Sequence, residues 1–332
     1  MKALRTHEVG GPETLTLDEI DVPTPGKGQV LVDVKACSIN FPDTLMIRDM
    51  YQFKPERPYA PGGDIAGVIE AVGEGVEGFA VGDKVLAGIG HGGLSEKVIV
   101  PADRMFPIPD GVAFDKAASI LMTYGTNIHG LKDRGHIKEG DTALILGAAG
   151  GVGLSAVELC KAYGARVVAA VSSEEKGQAA RDAGADEVVI YPKDEMDKAA
   201  SKELASAFKA ACGPEGANIV YDIVGGQYSE PALRSIAWEG KFLVVGFPAG
   251  IAKMPLNLTL LKSCDICGVF WGAFTMREPV KFRAQIAELF DLLKAGKIDP
   301  LISETFPLER GGDAIAKLAN RQAVGKLVVT MD

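Results

Sequence analysis

Asp141-Thr142-Ala143-Leu144-Ile145-Leu146-Gly147-Ala148-Ala149-Gly150-Gly151-Val152-Gly153-Leu154 is the stretch whose reading decides the fold. Ala143–Leu146 is a short apolar run, the pattern of a buried strand. A glycine-rich turn and the first turn of a helix follow it. Such a turn lets backbone N–H groups approach a pyrophosphate, and the helix N-terminus adds partial positive charge there. Leu154 to Tyr163 is helical in pattern, Gly164 suits the residue just past a helix end, and Ala165–Val171 is a second apolar strand. Strand, turn, helix and strand make a βαβ unit and point to a bound dinucleotide. The run departs from G-x-G-x-x-G because Ala149 stands where the second glycine would be.

The rhythm differs on either side of this unit. Upstream, Val30, Val32, Val34 and Ala36 alternate with Leu31, Asp33 and Lys35, the period of a half-buried strand. Gly67–Val72 and Lys84–Ala87 are further short strands, with Gly73, Gly75, Gly78 and Gly82 marking turns. Residues 1 to about 120 therefore read as a β barrel or sandwich. From about 120 to 267, strand candidates at Ala143–Leu146, Arg166–Val171, Glu187–Tyr191, Asn218–Ile223, Lys241–Gly246 and Asp265–Phe270 alternate with helical stretches. That alternation predicts an α/β domain with a doubly wound parallel sheet. The tail carries helices around Val280–Ala295 and Gly312–Asn320, then a strand at Lys326–Thr330 that returns to complete the first domain.

Composition narrows the partners. The chain has 332 residues, 47% hydrophobic and 24% charged, enough to bury large cores without covalent staples. Its net charge of −9 argues against an electrostatic nucleic-acid or membrane-surface binder. No apolar run is long enough to span a bilayer, and no secretory signal opens the chain. Five cysteines in such a length suit a reducing, cytoplasmic compartment.

Several segments now match one pattern. Gly67-Val68-Ile69-Glu70-Ala71-Val72-Gly73, Gly75-Val76, Phe79, Gly82-Asp83 and Val85 resemble the barrel signature of the medium-chain dehydrogenase/reductases. Ala148-Ala149-Gly150-Gly151-Val152-Gly153 is similar to the nucleotide loop of their zinc-free branch. Ile39-Asn40-Phe41-Pro42-Asp43-Thr44 and Tyr51 resemble the zinc-free quinone oxidoreductases, which include zeta-crystallin. The resemblance implies a GroES-like β-barrel catalytic domain at 1–122 and 268–332 and a Rossmann domain at 123–267. It also implies a homodimer joined through the last Rossmann strand, near Asp265–Phe270.

Zinc-dependent relatives carry a catalytic cysteine and a Gly-His-Glu sequence. Here Asn40 and Gly62-Gly63-Asp64 stand in those places, so no metal site is expected. Cys264-x-x-Cys267 lies in an extended segment, where residues three apart face opposite sides and do not chelate one ion.

The second Rossmann strand ends Val171-Ser172-Ser173, without the acid that would hold a ribose 2′-hydroxyl. Ser172-Ser173-Glu174-Glu175 also reads as a capping box with Ser172 at the cap. The resemblance implies that Lys176, Tyr191 and Arg321 meet a 2′-phosphate beside Ser172, so the cofactor is NADPH. It further implies Ala149, Gly150, Gly151 and Val152 against the pyrophosphate and Thr126 against the cofactor. Asn40 belongs near the nicotinamide ribose. Gly246, Phe247 and Phe270 follow late strands and line the nicotinamide cleft.

Without zinc to polarise a carbonyl, the acceptor is an activated one: a quinone or a conjugated enone or enoyl thioester. The leading reading is hydride transfer from NADPH to a quinone, with Asn40 and Tyr51 as the catalytic residues. An enoyl-CoA or 2-alkenal reductase, such as one acting on acryloyl-CoA, is the alternative. It is kept open because Leu45 stands where some quinone reductases have a second tyrosine. In that alternative Tyr51 donates a proton, which requires its phenol to be made more acidic. A non-catalytic NADPH-binding role, as in some zeta-crystallin-like relatives, ranks third.

Overall fold

The computed structural model describes residues 1–331. The chain forms two compact units, one of residues 1–122 with the chain from 300 onward, the other of residues 123–299. In chain order the strands are β1 (Lys2–Thr6), β2 (Leu15–Glu19), β3 (Gln29–Ser38), β4 (Asp64–Val72), β5 (Lys84–Gly88), β6 (Lys97–Pro101) and β7 (Met105–Pro107). Then come β8 (Thr142–Leu146), β9 (Arg166–Val171), β10 (Glu187–Ile190), β11 (Ala217–Asp222), β12 (Ile236–Val244), β13 (Asp265–Gly268), β14 (Ile302–Pro307) and β15 (Lys326–Thr330).

In the first unit β3 is the spine. It pairs antiparallel with β4, β6 and β15 in a sheet ordered β14-β15-β3-β4-β5-β7. Its alternating Val30, Val32 and Val34 are fully buried and pack with Ile65, Ile69, Val85, Val100 and Val329. Each such side chain contributes about 1.5–3 kcal/mol of burial. Register irregularities between Leu31/Val32 and Val34/Ala36 bend β3 against β4. Gly67 must lack a side chain, because a Cβ there would sit 2.1 Å from the Asp33 carbonyl.

The second unit holds a parallel sheet ordered β10-β9-β8-β11-β12-β13. Ala143, Leu144, Ile145 and Leu146 of its inner strand β8 are fully buried. A strand covered on both faces has no polar side to alternate, which is why the sequence reads as an unbroken apolar run.

One boundary differs from expectation. Residues 268–299, expected with the barrel, belong to the second unit. The helices Trp271–Arg277 and Pro279–Lys294 pack there through buried Phe274, Ile286 and Leu289. Phe274 stacks on His129 at 4.0 Å, and Gln285 donates to Asp133 at 2.8 Å.

Candidate active site

In the second unit, the carboxyl ends of parallel strands gather most of the expected cofactor residues. After β8 the chain turns through Gly147, whose φ of 73° favours glycine, into the helix Gly151–Ala162. No side chain caps this helix at its N-cap residue Gly150. The N–H groups of its first turn have no intrahelical partner and point to an anion. Two glycines serve different ends. A Cβ on Gly153 would lie 2.2 Å from the Gly147 carbonyl, so Gly153 lets the helix press on the strand end. A Cβ on Gly150 would meet nothing closer than that carbonyl at 3.8 Å, which leaves an open cradle above the turn. Gly150, Gly151 and Val152 border it, whereas the Ala149 side chain is buried.

Thr126 is buried in the helix Leu121–Ile128. Its neighbour Asn127, which sequence reasoning missed, donates to the Val152 carbonyl at 2.8 Å and to Ser155 Oγ at 2.7 Å. Asn127 also accepts the Tyr221 hydroxyl at 2.7 Å, so one buried carboxamide ties β11 to the glycine-rich turn.

The tips of β9 and β10 lie side by side, with Val171 opposite Ile190, so Ser172 and Tyr191 leave the sheet together. The helix Glu174–Asp182 starts here, and its cap is Ser173 rather than the expected Ser172: Ser173 Oγ accepts the Lys176 N–H at 3.3 Å. Either serine hydroxyl can cap, and the extended backbone falls one residue later, which puts Lys176 rather than Glu175 at the third helical position and forgoes the capping box. Lys176 is half-buried, and Tyr191 is buried against Tyr228 at 4.6 Å. Glu174 is bonded to Arg181 at 2.6 Å. No acid stands at the β9 tip. Gly246 and Phe247 follow β12, and Phe270 follows the neighbouring β13; both phenylalanines are exposed. An uncapped helix start, an open cradle and a tip rich in hydroxyl and ammonium groups fit a phosphorylated dinucleotide.

In the first unit, Asn40 opens the helix Phe41–Met46 and is buried. Its N–H donates to Asp43 Oδ2 at 2.7 Å, and Asp43 Oδ1 accepts the Gly62 N–H at 3.0 Å. The Asn40 carboxamide donates through Nδ2 to Asp64 Oδ2 at 3.1 Å and to the Ser38 carbonyl at 3.2 Å. Its Oδ1 accepts Lys326 Nζ at 2.5 Å. Sequence reasoning missed Lys326; a lysine at the head of the apolar run Lys326-Leu327-Val328-Val329 was the available signal. Burial raises Asp64 to about 7 and Asp43 to about 6, and lowers Lys326 to about 8.

This donor set does not fit a zinc ion. Asn40 and Asp64 are bonded to each other, an ammonium already lies against Asn40, and burial pushes the Cys37 thiol well up. Among the described residues no three His, Cys, Asp or Glu side chains are grouped to hold a metal.

Tyr51 follows the helix Phe41–Met46 that Asn40 opens, and is half-buried. Burial, then the nearby Asp43 charge, raises its phenol above the ordinary value. The acidification required of a proton donor is therefore not met, and Tyr51 stays a neutral hydrogen-bond donor. Arg321, the remaining expected cofactor residue, stands in the first unit at a φ of 59°, just after the helix Gly311–Ala319.

Comparison with known proteins agrees with this geometry. Residues 26–110 match the alcohol dehydrogenase GroES-like domain and residues 151–294 the zinc-binding dehydrogenase domain. A quinone oxidoreductase-like protein 2 homolog of Nematostella vectensis is 34% identical, over 99% of this chain and 88% of its own length. A mycobacterial protein solved with NADPH is 31% identical with a TM-score of 0.91, covering 100% of both chains. The Escherichia coli quinone oxidoreductase solved with NADPH is 28% identical with a TM-score of 0.89, again over 100% of both. The chain belongs to the medium-chain dehydrogenase/reductases, in the zinc-free quinone oxidoreductase family. No helix among the described residues is long and apolar enough to cross a membrane.

Proposed function

We propose that this oxidoreductase transfers a hydride from NADPH to a quinone. The observation that carries the cofactor choice is the β9 tip: Ser172 and Ser173 replace an acid, and Glu174 is held by Arg181 at 2.6 Å. A carboxylate there would bind a 2′-hydroxyl and repel a 2′-phosphate. The names of the relatives, and the NADPH in two of the solved neighbours, support the same reading.

Each residue then has a task. The backbone of Gly150, Gly151 and Val152 receives the pyrophosphate, beside Ala149. Ser172, Lys176, Tyr191 and Arg321 receive the 2′-phosphate. Thr126, Gly246, Phe247 and Phe270 line the nicotinamide side, and Asn40 faces its ribose. When bound, NADPH supplies the hydride. Tyr51 presents a neutral O–H to the acceptor oxygen on which negative charge grows, which lowers the barrier without a full proton transfer.

The protein acts as a cytoplasmic homodimer in this reading. β13 is an edge strand, and Ile266 on it and Leu256, Leu260 and Leu261 near it are exposed, an apolar patch suited to a second copy. Sedimentation of Ile266→Lys as a monomer, against a dimeric parent, is the expected result.

The deciding experiment is NADPH oxidation by the EDTA-treated protein with 1,4-benzoquinone, crotonyl-CoA and acryloyl-CoA side by side. Faster quinone turnover is expected. Faster thioester turnover moves the assignment to enoyl reduction. NADPH binding with no turnover of any acceptor leaves a binding protein.

A further inference from the structure

Lys326 is an outlier in its surroundings. It begins β15, is 5% exposed, and is 286 residues from the asparagine it bonds. Lysine is almost never buried this far without a dedicated partner, since desolvating an ammonium is expensive. Here Nζ donates to the Ile39 carbonyl at 2.9 Å and to Asn40 Oδ1 at 2.5 Å. The charged and titratable groups facing it come from three elements: Cys37 on β3, Asp43 on the helix Phe41–Met46 and Asp64 on β4.

The consequence falls on Asn40. A free carboxamide can flip, exchanging its oxygen and its NH2 group at little cost. With an ammonium on one side and a carboxylate on the other, only one orientation is satisfied: Oδ1 toward Lys326, Nδ2 toward Asp64. We propose that Lys326 is a positioning residue for the cofactor, fixing the Asn40 carboxamide so that the second lone pair of Oδ1 is set to accept a ribose hydroxyl. This rests on the reading that Asn40 faces the nicotinamide ribose.

Such a device differs from passive packing in one respect: it is sensitive to charge. Burial holds Lys326 at about 8, so the ammonium loses its proton just above neutrality. The neutral amine no longer favours Oδ1 over NH2 as strongly, and the carboxamide loses its fixed orientation.

The test is fluorescence titration of NADPH from pH 6 to 9, with KM for 1,4-benzoquinone measured beside it. Lys326→Met alone strands two buried carboxylates and risks misfolding. The double variant Lys326→Met/Asp64→Asn removes the ammonium with one counter-charge and keeps an acceptor for Asn40 Nδ2. In the parent, NADPH affinity should fall above about pH 8 as the ammonium titrates. In the double variant the NADPH dissociation constant should rise about tenfold at pH 7, the size of one charge-assisted hydrogen bond, and lose its inflection. The quinone KM should stay unchanged. A folded double variant with the parent's affinity and the parent's pH profile overturns the proposal. If the parent binds NADPH yet reduces no acceptor, the proposed function falls, and the affinity comparison still decides the role of Lys326.

Discussion

The Asn127 carboxamide donates to the Val152 carbonyl at 2.8 Å, bonding a side chain of one helix to the backbone of another helix's first turn. The same carboxamide serves Ser155 and Tyr221; without it Ser155 Oγ still donates to the Gly151 and Val152 carbonyls, but the buried Tyr221 hydroxyl loses its acceptor. Asn127→Ala should cost about 1–3 kcal/mol of stability, the penalty for buried polar groups left unpaired. Urea unfolding checks this. NADPH affinity should fall with it, because the turn that cradles the phosphates loses its brace.

Gly150 and Gly153 make opposite predictions from neighbouring positions. Gly153→Ala drives a Cβ to 2.2 Å from a backbone oxygen, so the helix must shift and stability should fall by about 1–3 kcal/mol. Gly150→Ala puts its Cβ into open space and should leave the melting temperature near that of the parent. It should still weaken NADPH binding, because that space is the cradle. Calorimetry on the two proteins, with and without NADPH, separates the effects.

Lys176 and Arg321 are assigned to the phosphate that distinguishes NADPH from NADH. Removing either to Ala should cost about 1.5–3 kcal/mol of NADPH affinity, roughly 10- to 100-fold, and leave NADH binding nearly unchanged. The ratio of the two dissociation constants is the measurement. A preference unmoved in both variants sinks the assignment.

Acidity should affect stability through the buried carboxylates. Asp64 and Asp43 are raised from 3.8 to about 7 and about 6, so the folded chain holds their protons more tightly than the unfolded chain does. Their contribution is complete below 3.8 and is lost as pH climbs through those folded values. Lys326 acts the other way, lowered from 10.5 to about 8, so stability is regained between those values. The cluster's contribution should therefore be smallest between about pH 7 and 8, and Asp64→Asn should flatten the acid side of that dip. Urea midpoints at about pH 5, 7.5 and 9.5 give the answer.

What the sequence disclosed follows from the range of the interactions involved. Lys326–Thr330 was readable to the residue and Arg166–Val171 to within one, because buried strands are mostly apolar runs bounded by turns. The strand Ile302–Pro307 was not anticipated: it lies at a sheet edge and carries three consecutive polar residues, Ser303, Glu304 and Thr305, which break both an apolar run and a period of two. The helix Pro279–Lys294 was foreseen, but not its unit, because an amphipathic stripe does not say which core it covers. The cap at Ser173 was missed by one residue because two adjacent serines offer the same chemistry. The motif around Asn40 is legible locally, whereas the role of Lys326 is not, since nothing in local pattern joins residues 286 positions apart. The glycine-rich turn was plain, whereas its brace Asn127 sits inside a helix that reads as ordinary.

The order of β14-β15-β3 has a consequence for synthesis. β15 is wedged between β14 and β3, so the sheet of the first unit cannot close until residues 326–330 leave the ribosome. The unit of residues 123–299, in contrast, has every one of its strands by Gly268 and can fold while the chain is still growing. Through that interval the nascent first unit waits with the β15 side of β3 unpaired and with Asp43 and Asp64 still hydrated. Arrival of Lys326 then zips the last edge and neutralises the acids in a single event, so a chain truncated before it should be recognised by chaperones as unfinished.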